Sequence, residues 1–372
     1  MKNYTYLRFS ILFGISLGLC DTAFALDQIV RPYQSVRSAG MGGVRMTTGL
    51  YDENFFNNPA RVTANPRSKF TILDLLPAEV TAATMSAAGS VISGTNPLNV
   101  AATNAGKNIH DRFQLILPAY YRAATEDRKF AFAIAFITSV QVDADLRQSY
   151  QTNFGGIADV GPAITVGRKF LEDDALSVGL TAHLTYRMAS SPTYSLLNFV
   201  SGTTPSLSTI GGDGAMVDFD LGGTYHITKL GEFDISAAAA MQNVLGGTYT
   251  NIPLSVLNNG SRPPAQARSI GLGGSASRES WGVFTNTVFA LEFTDILNSG
   301  AGSLFRLIHL GGETHWRSIA VRLGLNQGYW TAGIGFDFGF FTLNASTYGE
   351  ELGLNAGVLE DRRYALNFGF HI

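Results

Sequence analysis

Residues 176–186 read Leu176-Ser177-Val178-Gly179-Leu180-Thr181-Ala182-His183-Leu184-Thr185-Tyr186, an alternation that runs for eleven positions without a break. Leu176, Val178, Leu180, Ala182, Leu184 and Tyr186 share one face, and Ser177, Gly179, Thr181, His183 and Thr185 share the other. Only a chain whose side chains alternate in direction produces a period of two, so this is a β-strand with one apolar and one polar face. The pattern recurs in Val217, Phe219, Leu221, Tyr225 and Ile227 against Asp218, Asp220, Gly222, Thr224 and His226, and in Ile319, Val321, Leu323 and Leu325 against Ala320, Arg322, Gly324 and Asn326. Near the end Trp330, Ala332, Ile334, Phe336 and Phe338 oppose Thr331, Gly333, Gly335 and Asp337, and the last residues set Tyr364, Leu366, Phe368, Phe370 and Ile372 against Ala365, Asn367, Gly369 and His371. Strands of about nine to eleven residues cross a bilayer at a tilt. A soluble sandwich also alternates, but it turns its apolar face inward and uses strands of about five or six residues.

Working outward, the same reading predicts strands at 67–76, 112–122, 129–141, 160–169, 175–187, 215–228, 232–243, 266–276, 281–294, 304–314, 317–326, 329–338, 340–348 and 363–372. The count is fourteen, an even number, as a closed antiparallel barrel needs. Long and short connections alternate along the chain, which suits long loops at one end of a barrel and tight turns at the other. The gap at 327–328 is the exception, and Pro118 falls inside the second strand, where it would kink the strand or break a ladder hydrogen bond. The fold expected is therefore all-β: a transmembrane antiparallel β-barrel of about fourteen strands.

Composition agrees with that class. The chain has 372 residues with 26 basic and 29 acidic side chains, a net charge of −3 that offers no basic excess for a nucleic acid. Its 25 Phe, 14 Tyr and 3 Trp are too many for a disordered polymer. Beyond the first 25 residues no apolar run is long enough for a membrane-spanning helix. Those residues read as an export signal, with Lys2 and Arg8 ahead of an apolar stretch from Phe9 to Leu19 and the small-x-small site Ala23-Phe24-Ala25. Cleavage there removes the single cysteine, Cys20, and the bulky Leu19 before it argues against a lipoprotein signal. Residues 1–25 are thus expected to be a leader, 26–66 an irregular N-terminal hatch or plug, and 67–372 the barrel. A fourteen-stranded barrel is too wide for its own side chains to fill, and residues 26–66, which do not alternate and carry turn-prone Gly and Asn-Pro sites, are the segment available to close it.

Within that segment, Arg37-Ser38-Ala39-Gly40-Met41-Gly42-Gly43 is followed by Asn54-Phe55-Phe56-Asn57-Asn58-Pro59-Ala60. This pair of motifs resembles the N-terminal signature of the FadL/TodX-type outer-membrane transporters and their PorV-like relatives, with Gly40, Gly42, Gly43, Asn58, Pro59 and Ala60 at the matching positions. Gly324 to Gly353 also resembles the last hairpins of these relatives, while the final Ile372 departs from their usual terminal aromatic. The resemblance implies a fourteen-stranded barrel with an N-terminal hatch in the bacterial outer membrane. It implies passive passage of hydrophobic small molecules such as long-chain fatty acids, without enzyme activity or cofactor. In the PorV-like alternative, the same barrel anchors or shuttles an exported protein.

Residues with chemistry fall into three groups. Arg31, Arg37, Arg45 and Arg61 in the hatch have the bidentate geometry that a ligand carboxylate needs, and are equally natural partners for charges on the barrel wall. The stretches 77–110 and 188–214 hold only Glu79, Lys107 and Asp213 as charges, so with Tyr194 and Phe199 they would suit an apolar landing surface. Flexible small-residue loops without a ligand would look the same. His183, Asp218, Asp220, His226, Glu292, Arg322, Asp337 and His371 are expected in the lumen. His183 and Asp220, on consecutive strands, also admit the reading of a barrel hydrolase. Ala131, Ala133, Ala135, Ala238 and Ala240 face the same way, giving either a small apolar lumen or room for the hatch. No metal-ligand spacing is present, and Gly40-x-Gly42-Gly43 lacks the Lys-Ser/Thr of a phosphate loop.

Overall fold

The computed structural model describes residues 32–146, 151–190, 193–195, 211–253, 255–257, 260–298, 304–353 and 355–372. The expected leader, Arg31 and Phe199 lie outside these residues. The strands are β1 (Lys69–Thr81), β2 (Asn108–Arg122), β3 (Phe130–Leu146), β4 (Gln151–Phe170), β5 (Leu176–Ser190), the short β6 (Thr193–Ser195), β7 (Gly211–Leu230), β8 (Phe233–Gln242), β9 (Ser269–Trp281), β10 (Phe284–Phe293), β11 (Ile308–Trp316), β12 (Ile319–Asn326), β13 (Tyr329–Asp337), β14 (Phe341–Glu351) and β15 (Glu360–His371). All pairings are antiparallel, each long strand lies beside the next in the chain, and β1 pairs with β15 to close the sheet. Fourteen long strands form the barrel, and β6 only extends the edge of β4. Among the described residues no helix is long and apolar enough to cross a membrane.

The apolar face of each strand points outward. On β5, Val178 and Leu184 are exposed while Thr181, His183, Thr185 and Arg187 are buried, and on β3 Phe130, Ile134 and Phe136 are exposed opposite buried Ala131, Ala133 and Ala135. A sandwich would bury those apolar faces, so the surface belongs against hydrocarbon. Outward aromatics gather near the tight-turn end, where Phe336, Phe338, Phe341 and Phe368 form a run of stacked rings. The terminal Ile372 completes the wall without an aromatic ring: it exchanges backbone hydrogen bonds with Phe70 of β1 at 2.8 and 2.9 Å.

Every expected strand is present, but several are longer than their hydrophobic pattern. β1 reaches Thr81 and β2 starts at Asn108, so Glu79 lies in the wall and not in a loop, and the connection holds two apolar helices, α2 (Ala82–Ile92) and α3 (Pro97–Thr103). β4 begins at Gln151 and β7 at Gly211, which likewise brings Asp213 into the wall. Beyond the bilayer a strand needs no apolar outer face, so alternation fades while ladder hydrogen bonds continue. The rim is therefore uneven, with 20 residues in each of β4 and β7 but only 8 to 10 in each of β10 to β13. Gln327 and Gly328 do form a two-residue turn at the loop end. Pro118 falls where the β2–β3 register shifts, between Ile116 and Ala119, and Pro77 falls where β1 slips against both of its neighbours.

Residues 32–66 lie against the inward faces of the strands. Ser35 caps α1 (Val36–Gly40), its side chain accepting from the Ser38 N–H, and Asn58 with Pro59 after it starts the 3-10 turn Pro59–Ala64.

Candidate functional site

The N-terminal segment meets the wall through two polar sockets and one apolar seam. The first socket is built on β10 to β13. Arg37 donates from Nε and Nη2 to the Glu313 carboxylate at 3.0 and 2.8 Å and from Nη1 to Glu53 at 2.7 Å. Arg322 reaches the same Glu313 at 2.5 Å, so one wall carboxylate lies between two guanidinium groups. Burial works against the charge of Arg37, but Glu313 and then Glu53 outweigh it and hold its pKa above the ordinary arginine range. Glu292 on β10 accepts the consecutive backbone N–H groups of Arg45, Met46 and Thr47 at 2.9, 2.7 and 3.0 Å. Thr331 accepts from the Gly42 N–H and donates to the Gly40 carbonyl, and His309 Nδ1 sits 2.9 Å from the Gly42 carbonyl oxygen. Gly42 has φ +71°, and a Cβ there would strike the Leu310 carbonyl, while wall glycines Gly311 and Gly324 leave room for the backbone of Met41 and Gly42.

The second socket lies on β5, β7 and β8. Asn58 Nδ2 donates to Met46 O, Gly223 O and Thr224 Oγ1, Thr63 bonds Ser177 at 2.9 Å, and Gln242 donates to the Phe56 carbonyl. A Cβ on Gly179 or Gly222 would collide with Pro59 or Asn58. Each half of the Gly-rich and Asn-Pro-Ala pair thus seats on glycines of the wall, a complementarity across more than a hundred residues that no local reading could find.

The seam faces β2 to β4. Tyr33, Phe55, Phe56 and Val62 pack on Ile116, Ala119, Tyr121, Ala131, Ala133, Ala135, Ile137 and Ala163. The inward alanines of β3 make room for the segment's aromatic rings, and Ala238 and Ala240 do the same for Met46. Of the two readings of these alanines, packing against the segment is the one the structure realises.

The remaining nominated residues divide clearly. Arg45 is buried and already engaged. Half-buried Arg61 donates from Nε to the Gly49 carbonyl at 3.2 Å and meets no carboxylate among the described residues. Burial, with Arg37 nearby, lowers its pKa to about 10, so it stays charged at neutral pH. Tyr194 lies in β6, paired with Thr152, and is not part of an open loop. Asp218 and Asp220 are not free lumen charges: Asp218 accepts the Leu245 and Gly247 N–H groups and Asp220 that of Asn243, tying the β8–β9 connection to the wall. His183 Nε2 lies 3.5 Å from Asp220 with its ring against Phe56, and among the described residues neither ring nitrogen has a hydrogen bond. His226 is half-buried near the turn end. Asp337, expected in the lumen, is the last residue of β13, where it is exposed at the turn end and accepts the Gly339 N–H in its own turn. Among the described residues no group of three or more His, Cys, Asp or Glu could hold a metal ion.

One cluster was not legible in the sequence. Toward the loop end His110 bridges Glu79 at 3.0 Å and Asp143 at 2.7 Å, with Arg112 and Arg363 3.5 and 3.7 Å from Glu79. On β4 and β5 Asp159 takes both Nε and Nη2 of Arg187 at 2.7 Å. Every second position on these strands faces the lumen, but the apolar alternation of β1, β2 and β4 stops short of Glu79, His110 and Asp159.

No family model and no curated protein matches the chain in sequence. Among solved structures it is similar to a TodX deltaS2S3 mutant monoaromatic hydrocarbon channel, with a TM-score of 0.50 and 12% identity over 91% of this chain and 98% of that one. Matches also include the CymD monoaromatic hydrocarbon channel, TM-score 0.47, 12% identity, 90% and 96% of the two chains, and a Pseudomonas aeruginosa FadL homologue, TM-score 0.35, 9% identity, 94% and 98%. The outward apolar wall, the closed fourteen-strand topology and the first of these similarities together show that this chain has the β-barrel fold of the TodX channel structure.

Proposed function

We propose that the protein is an outer-membrane channel for hydrophobic small molecules in which residues 26–66 act as a hatch, with 1–25 as the export signal. The observation that carries this reading is the seating of residues 32–66 inside the barrel, with an apolar face of Tyr33, Phe55, Phe56 and Val62 turned to the alanine-lined wall. The fold similarity to a monoaromatic hydrocarbon channel supports a small apolar ligand, and a long-chain fatty acid would fit the same class. For a ligand that carries a carboxylate, Arg61 is the hatch arginine best suited to receive it, because it has charge without a carboxylate partner among the described residues.

One observation favours the second reading, a PorV-like barrel that anchors or shuttles an exported protein. The buried charges Glu79, His110, Arg112, Asp143, Asp159, Arg187 and Arg363 line the loop-end half of the lumen, and an apolar molecule has nothing to gain from them. Native mass spectrometry of the protein extracted from membranes in mild detergent separates the two. A retained apolar ligand of a few hundred daltons is the expected result; an empty barrel with a stoichiometric protein partner overturns it.

A further inference from the structure

The polar contacts of the hatch are unevenly distributed around the barrel. Residues 37–47 are bonded to β10–β13 through Glu313, Glu292, Thr331 and His309, and residues 56–63 to β5, β7 and β8 through Ser177, Gly223, Thr224 and Gln242. Toward β2–β4 the only hydrogen bonds among the described residues are those that Gln34 and Gln114 exchange, both at 2.9 Å. Everything else in that sector is the apolar packing of Tyr33, Phe55, Phe56 and Val62 on Ala119, Ala131, Ala133, Ala135 and Ala163. At the edge of the seam His183, 2% exposed and opposite Ala163 in the β4–β5 register, turns its ring to Phe56 at 5.4 Å, with both nitrogens lacking a hydrogen bond.

From this asymmetry we infer that an apolar ligand passes between the hatch and the β2–β4 wall while the hatch stays bonded at both sockets. The inference rests on the transport reading above and names the route within it. Parting the β10–β13 socket would strip Glu292 of three N–H donors and Arg37 of the wall carboxylate Glu313, and an apolar ligand supplies no replacement for either. Parting the seam costs at most the Gln34–Gln114 pair and otherwise exposes apolar surface, and a hydrocarbon restores those apolar contacts as it enters. The inward alanines leave the wall side smooth, so resistance comes from Phe55, Phe56 and Tyr121. His183 offers a polar contact at the seam's edge for a ligand that carries one hydroxyl or carbonyl.

Two engineered disulfides test the route. Val62→Cys with Gly167→Cys bridges the seam, since a Cβ on Gly167 would lie 2.6 Å from Val62 Cγ1. Gly40→Cys with Ser346→Cys fixes the hatch beside its first socket, where the two Cβ positions lie 3.3 Å apart. Both are made with Cys20→Ser and assayed in liposomes for passage of toluene, oxidised and then reduced. Expected is at least a tenfold loss of passage on oxidising the seam pair, restored by reductant, and less than a twofold change for the socket pair. Passage unaffected by the seam disulfide, or abolished by the socket disulfide, overturns the route. If the seam pair fails to insert as a heat-modifiable barrel, Ala133→Trp replaces it as the seam block and is held to the same tenfold loss. Absence of toluene passage through the wild-type protein overturns the transport reading and the route with it.

Discussion

The β10–β13 side of the barrel and the β2–β4 side hold the same segment by opposite means. On β10–β13 the strands are short, glycines admit the backbone of the N-terminal segment, and a buried charge pair binds it. On β2–β4 the strands run 15 to 20 residues, alanines face inward, and the contact is almost entirely apolar. The difference teaches that a segment seated inside a barrel need not be uniformly fastened. Directional bonds fix its position on one side, because a buried charge tolerates only its own partner, while a non-directional apolar contact on the other side accepts any partner of similar chemistry.

The largest expected effect comes from attacking the polar side. Arg37→Met leaves Glu53 without its guanidinium partner and Glu313 with one of two, which for a largely buried pair costs about 3–5 kcal/mol. Residues 32–66 should then become cleavable by added protease while the barrel stays intact, and unchanged protection would break the comparison. Next in size is Arg61→Gln. If Arg61 receives a ligand carboxylate, affinity for a fatty acid falls by about 1.5–3 kcal/mol while toluene passage is unchanged; equal loss for both ligands removes the assigned role.

On the apolar side, Ala133→Phe overpacks the seam and should cost about 1–3 kcal/mol of thermal stability without exposing the hatch to protease. Digestion comparable to Arg37→Met would show that the seam also bears the seating. The smallest effect concerns pH. Burial, with Asp74 and Glu53 nearby, raises the Asp52 pKa to about 7. A raised carboxyl favours the folded state while protonated, so its contribution is fully present below about pH 4 and is lost as the pH rises through about 7. The hatch should therefore be held slightly more firmly at pH 5 than at pH 8, read as a shift in melting midpoint that Asp52→Asn abolishes. A midpoint shift equal in wild type and variant would assign the pH response elsewhere.

What the sequence by itself determined is the wall. A period of two with the apolar set outward follows from local backbone geometry, so the fourteen strands, their order and the tight turns were legible residue by residue, from Leu176 to Tyr186 outward. The hatch arginines and the glycine and Asn-Pro-Ala motifs were legible as chemistry but not as contacts. Which carboxylate Arg37 meets, why Asp218 and Asp220 are tied to a connection, and why Arg61 meets no carboxylate among the described residues depend on residues far apart in the chain. The tertiary structure alone decided these, because barrel closure and register bring Gly42 to Gly324 and Asn58 to Gly222, whereas alternation reports only which face a side chain is on.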